Sequence, residues 1–406
     1  MTTAEVPRQR ILTRPMAMLL IVSVGAMSSV LLLMPVVPLY AAGTGADGIG
    51  AGLATGALML GTVLAECAVA GLLARLGYRT VMGLGLLLLG MPALLLAAHP
   101  PLIVVLAVCL VRGAGLGITV VCGPPLIVDL VPAERRNEGL GLYGLSVGLP
   151  SIVCLPAGLW LREHFGFTPV FVLAAGLALV MLAAVTDLPA KSARQEQHGS
   201  ILAALRNTDL TRPALVFAAV TMASGILVTF LPLAAGSAAA ALFVQSCTTP
   251  LARWSAGWFG DRHDQGSLFL PSVLSAAVGT ALMVFLPHPG ALLAGMFLFG
   301  IGFGTAQGVS LSLMFARASR ADFGQVSAVW NLSYDAGIGV GAIGFGLLVH
   351  PLGYPTAFGL TAAVLFISLI PAVKDRKKPR LVRACGASGS GGRGTGTRTP
   401  RTRARP

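Results

Sequence analysis

"MAMLLIVSVGAMSSVLLLMPVVPL", residues 16–39, runs for 24 residues without a charged side chain. About 20 apolar residues cross the hydrocarbon core of a bilayer as a helix, so this stretch predicts a membrane span. Hydrophobic residues make up 55% of the 406-residue sequence and charged residues 11%, against about a quarter charged in soluble domains. Working outward, similar runs lie at roughly 50–73, 81–98, 102–129, 139–161, 168–186, 213–234, 236–259, 268–287, 290–315, 324–348 and 355–373. The runs do not alternate residue by residue, as the strands of a barrel would. Lipid offers a backbone no hydrogen-bond partner, so all twelve are expected as helices. The first run is not expected to be a cleaved signal: it is long, lacks a small-residue cleavage site, and further spans follow.

The net charge of +13 raises the question of nucleic acid, and its placement argues against it. Arg8, Arg10 and Arg14 precede the first span, Arg75 and Arg79 follow the second, and Arg135 and Arg136 follow the fourth. Lys191, Arg194, Arg206 and Arg212 lie between spans six and seven, Arg262 follows the eighth, and Arg317 and Arg320 follow the tenth. Eleven more basic residues follow the last span, whereas the odd-numbered connections hold only Arg162. This is the positive-inside bias. It predicts a multi-pass protein of the plasma or inner membrane with both termini in the cytoplasm.

Enzyme and cofactor signals fail. "GLSVG" (144–148) fits G-x-S-x-G but lies inside an apolar run, without the strand–turn–helix that a nucleophile elbow requires. No G-x-x-x-x-G-K-[ST] loop for nucleotide phosphates occurs. The six cysteines have neither zinc nor redox spacing. No metal, no cofactor and no catalytic residue are expected.

The chain also repeats itself. "RGAGLG" (112–117) and "FGIGFG" (299–304) stand 187 residues apart. At the same offset Leu145 and Ser146 match Leu332 and Ser333, and Gly166 and Phe171 match Gly353 and Phe358; Gly71 and Gly257 differ by 186. Six spans per repeat is an even number, so both units enter the membrane the same way round, as parallel repeats. The expected organisation is an all-α integral membrane protein of twelve transmembrane helices in two pseudo-symmetric six-helix bundles, 1–186 and 213–374. A cytoplasmic linker (187–212) joins them, with a short surface helix expected in "SILAALRNTDL" (200–210), and a basic tail (375–406) follows. The tail is Gly-, Ser-, Thr- and Arg-rich with little apolar content, and is expected to be disordered.

Several stretches carry a resemblance to a known family. "GWFGDRHDQG" (257–266) resembles the loop signature G-x-x-x-D-R-x-G-R-K, and "GLLARLGYRT" (71–80) is a second copy with Arg75 where the first has Asp261. "LVRGAGLG" (110–117) resembles a motif with a membrane-embedded arginine, here Arg112. "GLPSIVCLPAG" (148–158) resembles the proline–glycine motif of antiporters, with Pro156 and Gly158. "DLVPAERRNEGLGLYG" (129–144) and "NLSYDAGIGVGAIGFG" (331–346) complete the set. Together they resemble the major facilitator superfamily, in particular bacterial twelve-helix drug or metabolite efflux permeases. The resemblance implies a rocker-switch carrier with one central site opened to each side in turn. Small-xxx-small pairs, Gly113 with Gly117, Gly300 with Gly304 and Gly337 with Gly341, independently predict close helix packing.

Ionisable groups inside a membrane are costly and mark function by default. Arg112 occupies the motif arginine, which the resemblance links to proton coupling or to the charge of the site. Asp335 lies about 16 Å into its span at 1.5 Å per residue, and its repeat partner is Gly148, so packing symmetry does not require an acid there. Glu66 lies nearer the cytoplasmic end of its span and is a further proton or gate candidate, and Arg253 reads as a gate or scaffold charge. Asp335, Arg112 and Glu66 are therefore expected to couple protons and substrate. The leading expectation is a proton antiporter exporting a small organic molecule, a drug or a metabolite. The alternative is a proton-coupled uptake symporter for a sugar or carboxylate, and a membrane sensor is disfavoured by the buried charges. The expected partners are the substrate, protons and the lipid bilayer, with the chain acting as a monomer.

The two signature loops predict a cytoplasmic gate comprising Gly71, Arg75, Gly77 and Arg79 with Gly257, Asp261 and Arg262. In the family each loop acid faces the start of a helix in the other half, where the helix end carries about half a positive charge. Asp261 would meet Arg135 or Arg136 in "ERRNEG" (134–139). Arg75 has the wrong sign for a helix start, and "SRADFGQ" (319–325) places Asp322 at an N-cap position. Two expectations stay open: a swapped latch between Arg75 and Asp322, or a first latch lost altogether.

Overall fold

The computed structural model describes residues 12–132, 135–190, 207–260, 262, 265–319 and 322–376. Among these every regular element is a helix. The chain starts with α1 (Arg14–Leu33, continued by Val36–Ala41) and a wide turn, Ala42–Ala46. The 50-residue helix Asp47–Leu96 leaves helical geometry at Gly77 and so divides into α2 (47–76) and α3 (78–96). Then come α4 (Leu102–Leu130), α5 (Arg136–Gly148, continued by Pro150–Phe165), α6 (Phe167–Val180, continued by Leu182–Val185), α7 (Thr208–Ala234) and α8 (Ala238–Gly260). They are followed by α9 (Phe269–Ala281, flanked by tight turns Gln265–Leu268 and Leu282–Phe285) and α10 (Pro289–Ala316). Finally Phe323–Arg376 divides at Gly353 into α11 (323–352) and α12 (354–376). Twelve spans result, each overlapping a predicted apolar run. α7 begins at Thr208, within the stretch read as linker. The expected surface helix falls largely on residues outside those described, as does most of the basic tail.

Local chemistry sets these boundaries. Thr13 caps α1 by accepting from the Met16 N–H at 3.5 Å, with proline just inside the helix. Asn207 caps α7 through the Asp209 N–H at 3.0 Å. The junctions α2–α3, α5–α6 and α11–α12 sit on Gly77, Gly166 and Gly353, with φ of 76°, 82° and 74°. Their ψ values are 168°, −173° and 163°, a region that is essentially glycine's alone. Gly166 and Gly353 are the pair related by the 187-residue offset, so the repeat is built into backbone conformation as well as sequence.

The glycines read as packing positions do pack. A Cβ at Gly113 would strike the Leu58 carbonyl of α2, at Gly115 it would lie 2.7 Å from the Gly85 carbonyl of α3, and at Gly117 2.5 Å from the Thr62 carbonyl of α2. In the second repeat Gly300 and Gly304 meet Thr248 and Thr249 of α8, while Gly302 meets Ser272 and Ala276 of α9. Each motif thus seats one helix between two neighbours in the same manner. Gly337 and Gly341 pack on Ala218 and Met222 of α7, and Gly158 on Leu32 of α1. Pro156, two residues before Gly158, is half-buried within α5.

The two bundles touch most closely at one end. Gly48, Gly52 and Gly56, one turn apart on α2, face Gly346, Ala342 and Ile343 on α11. A Cβ on Gly346 would lie 2.6 Å from the Gly48 carbonyl. Beside them Thr55 of α2 and Thr229 of α7 share a hydroxyl hydrogen bond of 2.9 Å. Tyr40 donates to the Pro100 carbonyl at 3.0 Å and packs edge-on against Phe167 and Phe171, tying α1 to α6 and to the α3–α4 connection. This is the end that carries the odd-numbered connections. At this same end α8 packs against Pro150–Phe165, and toward the other end it parts from Arg136–Gly148. Gly141, Gly144 and Gly148 have open space where a Cβ would stand, and Leu145, Leu149, Leu251 and Trp254 are exposed. The bundle is closed at one end and splayed at the other.

Candidate functional site

Three groups of polar side chains lie between or within the bundles. The first joins the two halves. Glu66 on α2 and Asp335 on α11 come within hydrogen-bonding reach of each other. Asp335 is buried and Glu66 half-buried. The pair follows from the α2–α11 seam: the helices run antiparallel, Met59 contacts Gly339, and the acids occur next along it. Two carboxylates in contact repel unless a proton is shared between them. The sequence marked each acid singly; that they meet depends on inter-bundle register, which no motif encodes.

The second group surrounds Arg112. The side chain is 3% exposed. Its Nη2 donates to the Ser29 carbonyl on α1 at 3.2 Å, while its Nε and the buried Ser29 Oγ have no hydrogen-bond partner. Arg112 lines a narrow, partly open crevice of about 20 Å³, whose other walls include Val30, Met34, Val37, Leu58, Thr55 and Cys109. The crevice therefore lies among α1, α2 and α4 and is apolar apart from the guanidinium, one hydroxyl and one thiol.

The third group lies in the second bundle. Phe217, Trp330 and Tyr334 stack in series, with ring centroids 4.9 and 5.9 Å apart, and Phe303 adjoins Tyr334 at 6.2 Å. Trp330 Nε1 donates to Ser310 Oγ at 3.0 Å, and Arg253 Nη1 donates to Gln307 Oε1 at 3.3 Å. The buried Gln245 Oε1 and Ser246 Oγ are unpartnered. Sequence reading missed this aromatic and amide-bearing wall, because its members are spread over α7, α8, α10 and α11. The unmatched polar residues in the spans, Gln245 and Gln307 above all, were the available signal.

The gate residues lie at the splayed end. Gly71, Arg75 and Gly257 are exposed. Gly77 forms the α2–α3 kink, and Arg79 donates through Nε and Nη2 to the Leu188 carbonyl at 3.2 and 3.0 Å. Arg135 pairs with Glu138 at 2.9 Å, and the Arg136 Nε is buried without a partner. Arg262 lies over the Trp258 ring at 3.9 Å. Asp322 accepts from Ser319 Oγ at 2.7 Å and forms no ion pair with Arg75 in this splayed arrangement. Asp261 lies outside the described residues, and with it the latch to Arg135 or Arg136. Among the described residues no group of three or more His, Cys, Asp and Glu side chains could hold a metal ion.

Comparison with known proteins gives a consistent assignment. The Major Facilitator Superfamily profile matches residues 18–248 and 235–388. A Helicobacter acinonychis (strain Sheeba) protein described as a "Probable sugar efflux transporter" is 24% identical over 238 residues, covering 55% of this chain and 60% of that protein. The chain thus spans under two thirds of that relative's length. The crystal structure of the nucleoside transporter NupG superposes with a TM-score of 0.69 at 15% identity, covering 90% of this chain and 100% of NupG. A point mutant of NupG gives 0.70 at 16% identity, covering 89% and 99%. At such identities the likeness to NupG is one of fold.

Proposed function

The chain belongs to the major facilitator superfamily, a family of transporters rather than enzymes, and on that premise we propose that it exports a small organic solute in exchange for protons. The observation that carries this reading is the Glu66–Asp335 contact between the two bundles. A carrier that alternates must move one bundle against the other, and α2 and α11 form the seam. Two unit negative charges about 4 Å apart repel by about 4 kcal/mol at an effective dielectric near 20. A shared proton removes that repulsion and holds the seam closed. Its loss favours parting α2 from α11 and opening the glycine-packed end. With the basic connections in the cytoplasm, the splayed end faces inward, so this arrangement is the proton-loaded, inward-open form.

A membrane potential of about 150 mV supplies roughly 3.5 kcal/mol per inward proton, scaling 2.3 kcal/mol per 100 mV. One exchanged proton then supports a gradient of over about a hundredfold for a neutral solute. The relatives named for sugar efflux and nucleoside transport support a polar, ring-sized solute. So do the aromatic wall and the buried amides of the second bundle. Uptake by symport is the competing direction. Accumulation of candidate solutes in cells with and without the protein tests the reading: the protein lowers accumulation, and an uncoupler abolishes the difference. Export untouched by the uncoupler, or a rise in accumulation, refutes it.

A further inference from the structure

We propose that Arg253 is the counter-cation of the Glu66–Asp335 pair: its charge sets the pH at which the shared proton leaves, and Gln307 and Gly308 hold it in place for that task. This rests on the shared-proton seam above and extends it to a third, positioning residue in the second bundle.

A guanidinium at membrane depth is costly unless its charge is balanced. Arg253 lies about 10 Å from the cytoplasmic end of α8 at 1.5 Å per residue. By the same measure Gln307, Glu66 and Asp335 lie about 14, 15 and 18 Å from the cytoplasmic ends of α10, α2 and α11. The four share one layer. The hydrogen bond of Arg253 goes to a neutral acceptor, Gln307 Oε1, at 3.3 Å. Its stem passes beside Gly308, where a Cβ would lie 3.8 Å from the Arg253 Cγ. Among the described residues no carboxylate forms an ion pair with it. Gln307 brings that guanidinium to the acids. On α10 it stands one turn from Phe303, whose ring adjoins Tyr334 at 6.2 Å, and three residues before Ser310, which accepts from Trp330 Nε1 at 3.0 Å. Gln307 therefore sits against the Trp330–Tyr334 turn of α11, and the next residue is Asp335. Arg253 and Asp335 both lie within electrostatic range of Tyr334.

The charges of the layer then balance. Two carboxylates sharing one proton carry one negative charge, and Arg253 carries one positive charge that an arginine does not shed. Loss of the shared proton to water leaves a surplus of one negative charge, against two without Arg253. A nearby cation favours the ionised carboxylate, so Arg253 lowers the pH at which the proton departs. Other ionisable groups on the helices around the pair lie at other depths or carry no charge. Arg112 on α4 is about 27 Å from the cytoplasmic end of that helix, where the Ser29 carbonyl of α1 holds it. The thiol of Cys67, beside Glu66, is exposed. Helices α9 and α10 carry no ionisable side chain. Arg75 on α2, Asp209 and Arg212 on α7, Asp322 before α11 and Lys374, Asp375 and Arg376 on α12 stand at cytoplasmic ends, and Asp47 and Tyr354 at the outer ends of α2 and α12.

The test uses the full-length protein in phosphatidylcholine nanodiscs and reads the pair directly, by infrared titration of the carboxylic acid C=O band that Asp335→Asn removes. Arg253 is exposed, so Arg253→Cys in a background without native cysteines can be coupled through methanethiosulfonates to an aminoethyl, a propyl or a sulfonatoethyl group. These place a positive, a neutral or a negative charge on one and the same folded preparation. The aminoethyl adduct is expected to titrate near the unsubstituted protein, the propyl adduct about one pH unit more alkaline, and the sulfonatoethyl adduct more alkaline still. Arg253→Lys should likewise keep the wild-type midpoint and Arg253→Gln should move it to alkaline pH, which carries the test if the cysteine variant does not fold. Midpoints indifferent to the charge of the adduct, or equal in the lysine and glutamine variants, overturn the proposal and leave the shared-proton seam in place. A wild-type protein without a titrating band that Asp335→Asn removes rejects the seam and this proposal together.

Discussion

Replacing Asp335 by asparagine tests the shared-proton seam at its centre. Asparagine keeps the shape of the side chain and gives Glu66 a permanent N–H donor, so the contact stays made at every pH. In the wild type the doubly ionised pair is disfavoured by about 4 kcal/mol at an effective dielectric near 20, worth about a thousandfold in the equilibrium between closed and parted seams. The variant loses that bias, since at most one charge remains. Proton loading then no longer shifts the bundles, and transport against a gradient should fall at least tenfold. Solute exchange needs no proton turnover and should survive. Everted vesicles supply the assay: uphill uptake driven by an imposed pH gradient, set beside counterflow of labelled solute without one. Uphill transport by Asp335→Asn at the wild-type rate would refute the reasoning. Loss of both activities together would point to a folding defect, which Glu66→Gln, altered at the half-buried partner, would separate from loss of coupling.

Other consequences concern packing and the closed end. Gly113→Leu drives a side chain into the Leu58 carbonyl of α2 and should abolish a monodisperse peak in size-exclusion chromatography, whereas Gly176→Leu, which has open space, should leave it unchanged. Gly353→Ala places a Cβ at φ 74° and should cost about 1–3 kcal/mol, seen as a lower unfolding midpoint. Thr55→Val removes the hydroxyl bond to Thr229, worth about 1 kcal/mol, and should increase alkylation of a cysteine introduced at Ile49. Arg14→Gln breaks the ion pair to Asp187, whose arginine is 76% exposed, and should shift the midpoint negligibly, since such pairs contribute about 0–1 kcal/mol.

Hydropathy and charge placement are one-dimensional, and they carried the twelve spans. The repeat was legible for the same reason: Gly113, Gly115 and Gly117 recur as Gly300, Gly302 and Gly304 because both motifs solve one packing problem, a helix wedged between two others. Gly166 and Gly353 recur because both turns need backbone conformations closed to other residues. The Glu66–Asp335 contact was not legible. Offset symmetry pairs Asp335 with Gly148, which lies on α5 with open space beside it, and says nothing of the α2–α11 seam. Gly48, Gly52 and Gly56, which pack on α11, were not singled out in the sequence. Asp322 here accepts from Ser319 and makes no ion pair with Arg75. Gln245, Gln307 and Trp330 were hidden by distance in sequence, since each comes from a different helix.

The distance between the closed-end tips of α2 and α11 reports the seam directly and needs no knowledge of the solute. Spin labels at Ile49 and Leu352, both exposed, can be placed in a background without native cysteines and followed by pulsed electron–electron resonance from mildly acidic to alkaline buffer. The account predicts a short, narrow distribution under acid that lengthens in alkali as the acids lose their shared proton, and no lengthening in the Glu66→Gln/Asp335→Asn double variant. A wild-type distribution indifferent to pH, or the same lengthening in the double variant, would contradict it.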